Sequence, residues 1–228
     1  MKKAGSKNVQ PVSTTLISNA FYTAKSTSSV DSTSSALYES MQLNKVGLSK
    51  EALEFAYKGH QVLEEKGVLN NPDILTVCDF SQSSLSKRMY IIDLKNNKLL
   101  LNTYVAHGKN SGLDYADHFS NTPESLESSL GFYVTKNTYQ GKHGLSLKLS
   151  GLEHGFNDNA ESRDVVVHGA PYIGEQRANS AYMGRSFGCP AVPQQLAPKV
   201  INLIKNGTCL FIYHPNDSYS ENSSILNS

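Results

Sequence analysis

Hydrophobic residues in this chain change their spacing near Asn71-Pro72. Before that point, Ala52, Phe55, Ala56, Gly59 and Val62 or Leu63 recur at the three- and four-residue intervals of a helix with one apolar face. Ser49 is placed to cap its start, Glu51 lies in its first turn and Gly67 is suited to end it, so a packing helix is expected over about residues 50–66. Beyond Pro72 the apolar residues come in short runs rich in β-branched types: Ile74 to Phe80, Met89 to Leu94, Leu99 to Val105, Gly131 to Thr135 and Val165 to His168. Lys95-Asn96-Asn97-Lys98 between two of them reads as a hairpin turn, because asparagine tolerates positive φ. This region is expected to be a sheet. Pro193 is suited to the first turn of a second helix reaching about Lys205, ended by Gly207 before a last strand from Thr208 to Tyr213. That placement puts Cys189 just ahead of a helix, where main-chain N–H groups and the positive end of the helix dipole favour a thiolate.

The remaining segments divide the chain. Residues 1–46 include the run Ser26-Thr27-Ser28-Ser29, with little apolar surface to offset ordering, and are read as a flexible tether or an arm wrapped on the domain. Residues 47–70 hold the helix, residues 71–215 a catalytic domain and residues 216–228 a polar tail. Between Ala106 and Asp164 lies a stretch full of Gly, Asn, Ser and His that is too long for an ordinary connection, and the substrate groove is expected there.

Charge narrows the function. In 228 residues, 21 Lys and Arg balance 20 Asp and Glu, so no broad field points to nucleic acid. No run approaches the roughly 20 apolar residues of a membrane span, and no secretory leader pattern is visible. Three cysteines cannot all pair within one chain. Cys78 and Cys209 sit in apolar strands and read as small buried hydrophobes, which leaves Cys189 as the chemically interesting thiol.

Cys189 follows Gly184-Arg185-Ser186-Phe187-Gly188, and upstream His168 leaves the run Val165-Val166-Val167. A thiol needs a partner for its proton, and a stiff strand is able to aim an imidazole, so the pair points to acyl transfer. The N–H groups of Phe187, Gly188 and Cys189 are candidate oxyanion donors, and Arg185 suits a substrate carboxylate. Taken alone, each has an ordinary alternative: a core histidine, a tight turn, a solvated arginine. Of the other histidines, His60 is expected on the surface of its helix. His107, His143 and His154 also precede glycine, so that dipeptide does not discriminate. A zinc peptidase built on His107, His143 and His154 or His168 lacks HExxH or comparable spacing, and no metal or organic cofactor is required.

Together with Ser120-Asn121-Thr122-Pro123, Ser129 to Tyr133, Gly141 to Leu147 and Gly155-Phe156-Asn157-Asp158, the Arg185 to Val192 run resembles the murein L,D-transpeptidase family, in its second catalytic-domain branch. The resemblance covers roughly Ile74 to Tyr213. It implies a mostly β (α+β) fold, a sandwich or partly open barrel, with Cys189 as nucleophile, His168 as base and the Gly169 carbonyl orienting that base. It also implies main-chain oxyanion donors at Phe187, Gly188 and Cys189, and substrate contacts at Arg185, Ser186 and His143. Phe187 stands where the more familiar branch has histidine, and Pro190-Ala191-Val192 stands where that branch has a polar residue and an arginine, so Arg185 is the expected substitute. The implied substrates are peptidoglycan stem peptides, handled by a monomer in the periplasm or cell envelope. Water as acceptor would make the same site an L,D-carboxypeptidase, and an inert Cys189 would leave a wall-binding module.

Overall fold

A computed structural model describes Met1 and residues 30–228. Eight strands form one mixed sheet: β1 Ile74–Asp79, β2 Met89–Asp93, β3 Lys98–Thr103, β4 Gly131–Gly141, β5 Gly144–Gly151, β6 Val166–Ala170, β7 Ala191–Pro193 and β8 Cys209–Tyr213. Their spatial order is β3-β2-β1-β8-β4-β5-β6-β7. Pairings β1–β8 and β6–β7 are parallel and the others antiparallel. An isolated bridge between Ala106, just past β3, and Ala191 in β7 brings the two edges of the sheet together, so the sheet is a nearly closed barrel. The protein is mostly β with few helices.

Helix α1 covers residues 30–40, α2 Lys50–Glu65, α3 Ala197–Ile204 and α4 Asp217–Asn222. The Ser49 side chain accepts the Ala52 N–H at the start of α2, and Gly67 at φ 65° turns the chain after it. α2 packs across β1 and β8, with Phe55 edge-on to Tyr213 at 6.0 Å. Gly59 is required there: a Cβ at that position would lie 2.0 Å from Phe132 Cζ. Beneath it Phe132 stacks on Phe211 at 4.2 Å, and Cys78 and Cys209 are buried in the same core. Asn97, at φ 50°, makes the β2–β3 hairpin turn.

Over residues 30–40 the arm is helical and packs Leu37 and Tyr38 on the domain, where sparse apolar residues find a ready-made face; its earlier part lies outside the described residues. Four expectations are corrected. His60 is buried, not on the surface, and its Nε2 bonds the Pro72 carbonyl at 2.7 Å. The long stretch from Ala106 to Asp164 contains a hairpin, β4–β5, whose second strand alternates Leu145, Leu147 and Leu149 with Ser146, Lys148 and Ser150, a period-two signal that the expected strands left out. Pro193 ends β7 and does not start α3, so no helix N-terminus adjoins Cys189. The polar tail docks: Tyr219, Ile225 and Leu226 are buried.

One buried carboxylate fastens that tail. Glu153 accepts the Phe132 N–H at 2.9 Å, the Tyr219 hydroxyl at 2.8 Å and the Ser223 hydroxyl. A buried charge is tolerated only when so satisfied. Tyr219→Phe should therefore destabilise the protein by about 2 kcal/mol in urea unfolding, the scale of a lost bond to a charged group; an unchanged midpoint and slope would contradict this account of the tail.

Candidate active site

Strand β6 shows two faces. Val167 points into the core, whereas Val166 and His168, two residues apart, line a cavity of about 670 Å³ together with Cys189. The volume falls in the range of small-molecule sites. Lys142 and His143 at the β4–β5 tip, Arg163, Asp164, Tyr172 and Arg185 complete much of the wall.

The thiol reaches this cavity through its main-chain setting. Parallel pairing of β6 with β7 sets His168 opposite Ala191, two residues after Cys189. On the other side of the cysteine loop, Ala106 N–H bonds Ala191 O at 2.8 Å, Ser186 N–H bonds His107 O at 3.0 Å and Lys109 N–H bonds Ser186 O at 2.7 Å. Inside the loop, the Ser186 hydroxyl donates to Cys189 O at 2.6 Å and accepts Gly188 N–H at 3.1 Å. Gly188 sits at φ 119°, and a Cβ there would lie 2.8 Å from Glu127 O, so only glycine fits the turn. The Gly188 N–H is thus engaged within the loop instead of facing an incoming oxygen. The exposed Phe187 side chain lies on the cavity rim.

Cys189 Sγ is half-buried, donates to Asp164 O at 3.5 Å and accepts Val166 N–H at 3.5 Å. Burial pushes the thiol upward, partly opposed by that N–H and by the Arg163 charge. His168 Nδ1 bonds Gly169 O at 2.9 Å; a carbonyl only accepts, so the proton sits on Nδ1 and the Nε2 lone pair is the basic one. Burial lowers the imidazole, the Gly169 bond raises it, and His143 with Lys142 lowers it further. The His143 ring stacks on it at 4.3 Å and 23°. Both directions favour a neutral thiol and a neutral imidazole near pH 7.

His107 is elsewhere. It is buried in contact with the fully buried Arg88, whose Nη2 donates to His107 Nδ1 at 2.6 Å while Nε bonds Val105 O and Nη1 bonds Gln82 O. Burial and that guanidinium pull His107 down to about 4. The pair stiffens the 105–109 segment that carries the cysteine loop. His154 is on the surface, bonded to Asp158 at 2.8 Å. Among the described residues no group of three His, Cys, Asp or Glu is arranged to hold a metal, and no helix is long and apolar enough to cross a membrane.

Arg163 is the residue that sequence reasoning missed. Its guanidinium donates to Ser120 O, Ser129 Oγ, Ser125 Oγ and Glu127 O at 2.6–3.0 Å, stapling residues 120–129 beside the cysteine loop. Nothing in the polar run Glu161-Ser162-Arg163-Asp164 marks it from a solvated surface. Arg185 lines the cavity, with Nη1 on Lys109 O at 2.8 Å and Gly112 O at 3.0 Å.

The sequence profile of the L,D-transpeptidase catalytic domain matches residues 44–213. This chain belongs to that family. None of the curated proteins matches it. Solved structures similar to this family member include an L,D-transpeptidase from Mycobacterium smegmatis (13% identity, TM-score 0.38) covering 62% of this chain and 59% of its own. Another is an L,D-transpeptidase from Enterococcus faecium (13%, 0.38; 62% and 50%). A third is L,D-transpeptidase 3 from Mycobacterium tuberculosis (12%, 0.37; 62% and 61%). The chain thus spans between half and three-fifths of the length of these relatives.

His60, His107 and His168 all bind protons less readily when folded than the ordinary imidazole value of about 6.5. Below that value the unfolded chain takes up more protons, so stability rises with pH across this window. Thermal unfolding should move to lower temperature as pH falls from about 7 to 5, and His107→Gln should flatten the dependence. A melting temperature independent of pH over that range would contradict the buried neutral imidazoles.

Proposed function

We propose that this protein catalyses L,D-transpeptidation of peptidoglycan stem peptides in the periplasm or cell envelope, with Cys189 as nucleophile. The supporting observation is the shared cavity of a thiol and an imidazole whose tautomer leaves Nε2 free of the Gly169 bond. Sγ attacks the carbonyl joining the L-centre of a diamino acid to the following D-Ala. As the S–C bond forms, the thiol proton passes to His168 Nε2. The C–N bond then breaks, the imidazolium returns its proton to the departing amine, and D-Ala leaves a thioester on Cys189. An amine from a neighbouring stem attacks the thioester carbonyl and gives its proton to His168; as the new C–N bond forms the C–S bond breaks, and the imidazolium returns the proton to Sγ to restore the thiol.

Gly169 O stabilises the imidazolium that forms in between, as a main-chain acceptor in place of a carboxylate. Negative charge on the carbonyl oxygen is met by N–H groups of the cysteine loop at Phe187 and Cys189, and by Gly188 only if its bond to Ser186 Oγ is exchanged. Ser186 acts as the brace of that loop. His143, stacked on His168, restricts the ring's rotation.

Wild-type protein given a disaccharide-tetrapeptide and an amine acceptor should release D-Ala and form a cross-linked product in the mass spectrum. Cys189→Ala should lower release by at least about a thousandfold, the scale expected when a covalent nucleophile is removed. Unchanged release from the variant would end the proposal, and free tripeptide as the sole product would make water the acceptor.

A further inference from the structure

The turn that carries Cys189 is shaped from outside by a segment with no regular structure of its own. Residues 120–129 run beside the cysteine loop with two non-glycine residues in the left-handed region, Glu124 at φ 61° and Leu126 at φ 59°. A residue with a side chain enters that region at a cost, so such residues persist only where their surroundings over-determine them. Asn110 supplies part of the restraint: its N–H bonds Leu126 O at 3.1 Å and its side-chain amide bonds Ser125 O at 2.8 Å. Arg163 supplies more, with Nη1 on Ser120 O and Ser129 Oγ and Nη2 on Ser125 Oγ and Glu127 O. Both terminal nitrogens are thus spent inside the protein, and the planar guanidinium serves as a rigid fork between separate parts of one segment.

The segment so held touches Gly188 twice. Glu127 O, which accepts Arg163 Nη2 at 2.8 Å, packs so closely that a Cβ on Gly188 would lie 2.8 Å from it. Ser128 Oγ donates to Gly188 O at 3.2 Å and accepts Gly108 N–H at 3.0 Å. The Gly188 N–H is itself taken by Ser186 Oγ, so the direction of this turn sets what the Phe187 and Cys189 N–H groups are able to meet. A misplacement of about 1 Å at such a site costs on the order of a hundredfold in rate.

We infer that Arg163 is a positioning residue for acyl transfer: by holding residues 120–129 it fixes the Gly188 turn, and with it the aim of the Phe187 and Cys189 N–H groups at the developing oxyanion. This rests on the acyl-transfer reading, because only an oxyanion makes that aim matter. Arg163 acts through Glu127 and Ser128, and none of its four bonds is to a reacting atom. Its charge is a separate effect, since a cation near the thiol favours the thiolate whatever the shape of the turn.

Two reagents separate aim from reactivity at Cys189. Iodoacetamide alkylates a thiolate by displacing iodide and forms no oxyanion, whereas p-nitrophenyl acetate acylates it through a tetrahedral oxyanion and releases a coloured phenolate. Subtracting the Cys189→Ala rate isolates this thiol in both reactions. Arg163→Lys keeps a positive charge and loses the fork. It should leave the midpoint of the alkylation pH profile in place and the alkylation rate within about twofold, while slowing acylation at least about tenfold. Ser128→Ala cuts the link to Gly188 O with Arg163 intact and should show the same selective loss; it carries the test alone if melting curves show that Arg163→Lys does not fold. Unchanged acylation in the folded variant, or alkylation and acylation falling together, would overturn the inference. A parent that is alkylated but not acylated would remove the acyl-transfer reading as well, whereas an acylated parent without selective loss in its variants removes the positioning role alone.

Discussion

The site depends on how a single loop is held between two backbones. β7 is only three residues long, yet it pairs with β6 on one side and meets Ala106 on the other. His168 stands on one of those neighbours and Cys189 leads into the strand between them. Main-chain hydrogen bonds, which cannot be left unmade in a buried setting without cost, thus fix where sulfur lies relative to imidazole. Much of the surrounding structure serves that arrangement: Arg88 and His107 stiffen the 105–109 segment, Ser186 ties the loop internally, and Arg163 fastens residues 120–129 against Gly188.

Electrostatics at the same place favour two neutral groups. Burial acts in opposite directions on an acid and a base, raising the thiol and lowering the imidazole, and the bonds from Val166 and to Gly169 only partly oppose it. Under the proposed acyl transfer the thiolate is created as it is used, with the Arg163 charge favouring negative charge on sulfur.

Local rules made parts of this legible from residues alone. The α2 boundaries followed from Ser49 and Gly67, the hairpin from Asn96-Asn97, and the buried state of Cys78 and Cys209 from their apolar neighbours. Cys189 and His168 stand out as candidates because a thiol in a glycine turn and an imidazole leaving a β-branched strand point to the same chemistry, and both line one cavity. What stayed hidden depends on tertiary context. Pro193 is compatible with both a helix start and an edge strand, and pairing with β6 decides it. Tyr219 and His60 carry polar atoms whose burial is possible only because Glu153 and the Pro72 carbonyl are waiting for them. The role of Arg163 is set by four acceptors about 34 to 43 residues away in sequence, so no local pattern announces it.

The most direct test of the central claim is the rate of Cys189 alkylation by a neutral electrophile as a function of pH. Cys78 and Cys209 are fully buried, so the folded protein reports on one thiol. A neutral thiol facing a neutral imidazole predicts slow alkylation at neutral pH, rising only above the ordinary thiol value of about 8.5. Fast alkylation that persists down to about pH 5 would reveal a stored thiolate–imidazolium pair and contradict the account.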